Sequence, residues 1–188
     1  HKEYRRQRQM CIRDRPYLTV NATKVAWWKN WFVQAGTNRN KKIGLVWAGN
    51  PVHSNDANRS IDLSQFACLN DLENITWVSL QLGETARLRC LNSPLNLLDA
   101  SAHIEDFTDS AALLANLDLL ISVDSSPAHL AGALNVPVWT LITAVPDWRW
   151  LLERDDSVWY KSMRLFRQPE KGDWTSVLTN VKKALEVF

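Results

Sequence analysis

No stretch of the 188 residues holds an apolar run near the ~20 needed to span a bilayer, and no signal-peptide pattern is visible. Cysteine is scarce. Cys11, Cys68 and Cys90 show neither CxxC spacing nor a histidine at metal-ligand spacing. This excludes a disulfide framework and predicts buried thiols in a reducing cytoplasm, with no metal expected. Charge of one sign is lacking too: a net charge of +2 offers no field for capturing nucleic acid or an anionic membrane. There is no internal repeat and no low-complexity segment.

What positive charge there is gathers at Lys2, Arg5, Arg6, Arg8, Arg13 and Arg15. The run Met10-Cys11-Ile12-Arg13-Asp14-Arg15 within it resembles a translated sequencing adaptor. Residues 1–15 are therefore set aside as a non-native tail, and a nucleic-acid role for that tail lapses with them. The remaining length suits one domain with its own core, and 46% hydrophobic residues against 22% charged is ordinary for a globular protein.

Hydrophobic periodicity divides the chain. Thr23 to Gln34 reads as a helix with Val25, Trp28, Trp31 and Phe32 on one face. With its flanks, over residues 16–40, it is expected to be a linker from a preceding domain, the main domain being 41–188. Apolar runs follow at Lys42–Trp47, Ile75–Leu80, Leu119–Val123 and Pro137–Ile142, with shorter candidates at His103–Asp106 and Arg164–Phe166. Helical patterns fill the gaps: Leu63–Leu69, Glu84–Leu91, one capped by Asp109-Ser110, Ala128–Leu134 and Trp174–Val187. The last carries Val177, Leu178, Val181 and Leu185 on one side. Short, almost wholly apolar strands alternating with helices predict an α/β fold, a doubly wound, mainly parallel sheet covered on both faces.

In such a sheet ligands bind beyond the carboxyl ends of the strands. The most informative strand end is Val123-Asp124-Ser125-Ser126-Pro127-Ala128-His129. A buried strand stops at an acid and two hydroxyls, and proline at a first helical position then opens a helix. The small residues Ala128, Ala131, Gly132 and Ala133 let that helix pack close to the sheet. Backbone N–H groups, the positive end of the helix dipole and two hydroxyls together favour phosphate.

This segment resembles the diphosphate-binding motif of the heptosyltransferase family, with Asp124, Ser125, Ser126 and His129 at the matching positions. Gly44–Pro51, Asn58-Arg59-Ser60-Ile61, Val78-Ser79-Leu80-Gln81 and Pro146-Asp147-Trp148-Arg149-Trp150 follow the same resemblance. As a set they are similar to the heptosyltransferase-like C-terminal region of tetratricopeptide-repeat proteins. Two positions depart from the family pattern: Ser126 stands where Gly is usual, and Leu82 where Lys is frequent.

The resemblance implies the Rossmann-like, donor-binding half of a two-domain (GT-B) glycosyltransferase. Its donor would be a nucleotide-diphosphate sugar, with no metal and no further cofactor. Arg59 would pair with donor phosphate, Asp124 would meet a sugar hydroxyl, and Asn50 and Gln81 would contact phosphate, ribose or base. The catalytic base and acceptor site would lie on a missing N-terminal domain, so the fragment alone would be inactive. Each residue has a plain structural alternative. For Ser125 and Ser126 it is N-capping, worth about 1 kcal/mol; for Arg59, a solvated loop charge; for Asn50 and Gln81, loop hydrogen bonds; for His129, a satisfied core histidine. At the level of the whole chain, a non-catalytic binding or scaffold module and half of a nucleotide-sugar epimerase are the alternatives.

Overall fold

The computed structural model describes residues 16–37, 39–83 and 93–188. Six strands form one sheet in the order β3-β2-β1-β4-β5-β6, every neighbouring pair parallel. They are β1 Lys41–Val46, β2 Ile75–Ser79, β3 Leu97–Asp99, β4 Leu119–Val123, β5 Val138–Ile142 and β6 Met163–Arg167. The helices are α1 Ala22–Gln34, α2 Asp56–Arg59, α3 Phe107–Leu114, α4 Ser126–Ala133 and α5 Trp174–Leu185. Short 3-10 segments span Leu63–Leu69, Ser101–His103 and Trp148–Trp150. This is the expected doubly wound α/β arrangement.

The central strands are continuous apolar runs because both faces are covered: every residue of β4 and of β5 is buried. Two clusters result. On one face Ile43, Leu45, Trp47, Trp77 and Ile121 meet Phe66 and the α5 residues Val177, Leu178, Val181 and Leu185. On the other, Val46, Val78, Leu120 and Val138 meet Trp28 and Phe32 of α1, with Leu113, Leu114, Ala128 and Ala131 from α3 and α4. Each fully buried Leu, Ile or Val contributes about 1.5–3 kcal/mol.

Several local expectations need correction. The expected Leu63–Leu69 helix is a 3-10 segment, whose Leu63, Phe66 and Leu69 still reach the core. The short strand expected at His103–Asp106 lies earlier, at Leu97–Asp99, since only there can the chain pair with β2. The cap of α3 is Asp106. Its side chain accepts from the Thr108 and Asp109 amides, while Asp109 reaches back as the reciprocal partner of a capping box. The α4 helix starts at Ser126, so proline occupies its second position. Cys68 is exposed, where buried thiols were expected. Cys11, Cys90, the 1–15 tail and the Glu84–Leu91 helix lie outside the described residues.

Helix α1 does not stand off as an isolated connector: Trp28 and Phe32 are 1% and 2% exposed. Asn21 caps it through the Thr23 and Lys24 amides, and Lys24 pairs with Asp109 of α3 at 2.6 Å.

Candidate functional site

In this strand order the connection from β1 runs toward β2 and that from β4 toward β5, so a crevice opens between the two loops. The loop after β1 is folded back by its own bonds. Ile61 N–H donates to Trp47 O at 2.8 Å, and Gly49 N–H donates to Ser60 Oγ at 3.0 Å. Ser60 in turn donates to Asp56 Oδ2 at 3.0 Å. The other carboxylate oxygen of Asp56 accepts from Arg59 Nε at 3.1 Å, and Arg59 Nη1 donates to Asp124 O at 3.1 Å. One guanidinium thus ties the β1 loop to the end of β4. Glycine at position 49 leaves room for this pair, because a Cβ there would overlap the ends of the Arg59 and Asp56 side chains.

Across the crevice β4 ends and α4 begins. Ser125 occupies the N-cap position but makes no side-chain cap bond. Its hydroxyl lies 3.0 Å from that of Ser122, which donates to Val123 O at 2.7 Å. Ser126 is the first helical residue, so neither serine performs the capping that was the plain alternative. The Asp124 carboxyl sits below the usual carboxylate range. Burial pushes it up, but the His129 side chain, the Trp150 indole facing it and the Arg59 charge more than offset that. His129 Nε2 is 3.7 Å from Asp124 Oδ1, and His129 Nδ1 is 3.2 Å from the Tyr160 hydroxyl. The histidine ring stacks on buried Trp150, centroids 5.2 Å apart. Gly132 is packed as closely: a Cβ there would run into the Tyr160 ring.

The crevice encloses about 640 Å3, within the range of small-molecule sites. Arg59, Asp124, Ser125, Ser126 and His129 all line it. Sequence reasoning therefore brought five of its site residues to one place. The other two lie elsewhere. Gln81 is buried and uses its Oε1 to accept from the Trp47 and Ala48 amides, at 3.1 and 2.9 Å. Asn50 closes an exposed turn by accepting from Val52 N–H at 3.0 Å. Their loop-bonding alternative is what the geometry displays.

Lining residues missed in the sequence are His53, Thr143, Asp147 and Arg149. Arg149 pairs with Asp147 at 2.9 Å. The Pro146–Trp150 motif was the available signal for that pair. Trp150 packs within the α1, α3 and α4 cluster, and Trp148 is exposed beside Trp159. The loop is held from β6, where Arg167 donates to Trp150 O and, at 2.8 Å, to Arg154 O.

Residues 104–164 match the model of Glycosyltransferase family 9 (heptosyltransferase). That span contains α3, β4, α4, β5 and the Asp147–Trp150 loop, hence one wall of the crevice. A glycosyl transferase family 9 structure from Veillonella parvula superposes with a TM-score of 0.66 at 16% identity, over 90% of this chain and 52% of that one. The E. coli ADP-heptose LPS heptosyltransferase II gives 0.60 at 15% identity, over 92% and 55%. At these identities the likeness is one of fold. In sequence the chain is 26% identical over 180 residues to Protein FlbA of Caulobacter vibrioides, covering 92% of this chain and 29% of that protein. The chain thus spans about half of the two structures and under a third of FlbA. Among the described residues no helix is long and apolar enough to cross a membrane.

Proposed function

We propose that the crevice binds the diphosphate of a nucleotide-sugar, and that the chain is the donor-binding part of a glycosyltransferase. The observation that carries this reading is Arg59. Its guanidinium is fixed by Asp56 and by the Asp124 carbonyl at the rim of the α4 N-terminus, and lines the same cavity as both serines. A guanidinium has five N–H groups, so three remain for phosphate oxygens after those two bonds. Together with the α4 dipole it would stabilise a nucleoside diphosphate as leaving group without a metal. Ser125 and Ser126 would turn their hydroxyl protons toward the phosphate. The Asp124 carboxylate would repel phosphate at close range, and is better placed to accept from a sugar hydroxyl. The base that activates the acceptor, and the acceptor site, would belong to a second domain. Tetratricopeptide repeats would be a further partner and the cytoplasm the compartment.

One observation favours a second reading, a scaffold module without turnover: two of the Arg59 N–H groups and the Ser125 hydroxyl already serve bonds within the protein. Calorimetry with pyrophosphate and with adenosine, uridine, guanosine and cytidine diphosphates distinguishes the two. Saturable binding should fall by about tenfold to a hundredfold in Arg59→Ala, the loss of charged hydrogen bonds worth about 1.5–3 kcal/mol, and by less in Ser125→Ala. A folded domain that binds none of the five would end the donor-site reading and leave the scaffold.

A further inference from the structure

Beside the crevice lies a second cavity of about 480 Å3, and the two share Asn55, Thr143 and Val145 in their walls. It sits at the carboxyl ends of β5 and β6, between the β1 loop and the turn leading into α5. Its polar lining includes Asn58, Gln168 and Lys171, and no carboxylate.

Gln168 is 5% exposed. Its Oε1 accepts from Ala144 N–H at 3.2 Å and from Gly172 N–H at 3.4 Å. Two backbone donors on one amide atom identify that atom as the oxygen, so the other end is the NH2 group. That NH2 is buried and has no hydrogen-bond partner. Buried polar groups are nearly always paired, and a bare one is costly. Gln168 lines the cavity, where an acceptor atom of a ligand would supply that partner. Lys171 is exposed and makes no ion pair among the described residues.

Gln168 NH2 and Lys171 are both donors, and a carbonyl or carboxylate oxygen, which only accepts, matches both; a hydroxyl brings a proton that neither of them can take. A nucleobase would want a flat aromatic face, but Trp174, the aromatic residue lining the cavity, is 5% exposed and packed in the core. We propose that this cavity takes a substituent of the donor sugar, whose ring lies toward Asp124 beside the diphosphate site, and that it selects a sugar bearing an acylamino carbonyl or a carboxylate. The inference rests on the diphosphate reading of the neighbouring crevice.

The test is saturation-transfer NMR of the chain with N-acetylglucosamine, glucuronate, glucose and uridine, with pyrophosphate calorimetry in parallel. Gln168→Glu keeps an oxygen for Ala144 and Gly172 while removing the donor. It should weaken N-acetylglucosamine or glucuronate binding by about tenfold and leave pyrophosphate binding unchanged. Lys171→Ala should weaken glucuronate alone, which separates the carboxylate from the acylamino source. Equal binding of glucose, indifference to Gln168→Glu, or uridine as the sole ligand would overturn the subsite. If sugars bind as described but pyrophosphate does not, the diphosphate reading falls and the sugar site stands. Pyrophosphate binding without any sugar binding has the opposite meaning.

Discussion

Replacing Gly132 by alanine tests how the crevice is held in shape. Glycine inside a helix ordinarily gives way to alanine with a gain of about 1 kcal/mol. Here the new Cβ would lie 2.7 Å from Tyr160 Cδ1 and 2.8 Å from its Cβ. Carbon atoms rest at about 3.5–4.0 Å, so the ring must retreat by roughly 1 Å. Overpacking of this kind costs about 1–3 kcal/mol. The retreat also breaks the 3.2 Å bond to His129, a further ~0.5–1.5 kcal/mol. The balance is a loss of about 1–3 kcal/mol, read as a fall in Tm of roughly 2–10 °C for a chain of this size. Differential scanning calorimetry of the single variants and the Gly132→Ala/Tyr160→Ala pair gives the cycle. With the ring gone only the 2.8 Å approach to the remaining Cβ persists, so alanine at 132 should cost less than it does beside the intact tyrosine. A rise in Tm for Gly132→Ala alone, or strict additivity in the double variant, would refute the contact.

Three further outcomes are expected. Gly49→Ala displaces the Arg59 guanidinium while leaving every charge in place, so pyrophosphate affinity should fall about tenfold with little change in helical circular dichroism. Trp28→Ala should cost about 3–5 kcal/mol in urea unfolding, because α1 is part of the core; a cost below 1 would make α1 a detachable connector. The Asp106 carboxyl is held down to about 2, first by the Thr108 hydroxyl and then by the Asp109 amide, with Lys24 adding to the effect. A depressed carboxyl stabilises fully above its ordinary value and loses that contribution as pH falls toward about 2. Asp106→Asn keeps a capping oxygen but does not titrate, so it should flatten the acid limb of a stability–pH curve; an unchanged limb would count against the cap.

The parallel sheet was legible because its central strands are buried on both sides. Leu119–Val123 has no polar break but Ser122, whose hydroxyl bonds to the next carbonyl. The periphery was harder. β3 is three residues, and its sequence Leu-Leu-Asp differs little from the apolar scatter around it until pairing with β2 selects it. Leu63–Leu69 has helical spacing, yet Asp62 starts a tighter turn that the pattern of burial cannot reveal. Within the site, Arg59 and the Asp124–His129 segment were found because a strand end and a helix start are sequence-local. Asn50 and Gln81 follow strands too, but Asn50 turns back onto Val52, and Gln81 is drawn inward by its bonds to Ala48 and Trp47, 33 and 34 positions away. His53 and Tyr160 left no local trace at all.

The pairing of β1 with β4 joins Ile43 to Leu119 and Val46 to Ser122, across most of the first half of the domain. Arg59 and Asp124 face each other only after that pairing exists. Closing a loop of this length carries an entropic cost, so the crevice should form late in folding and be absent from any intermediate built from local contacts alone. A bound diphosphate would therefore act on the native state alone, raising the unfolding free energy by RT ln(1 + [L]/Kd). For the same reason, a protease cut that lets the two strands part would abolish affinity even with every contacting side chain intact. Retention of ligand thus reports the continuity of the chain as much as the chemistry of its pocket.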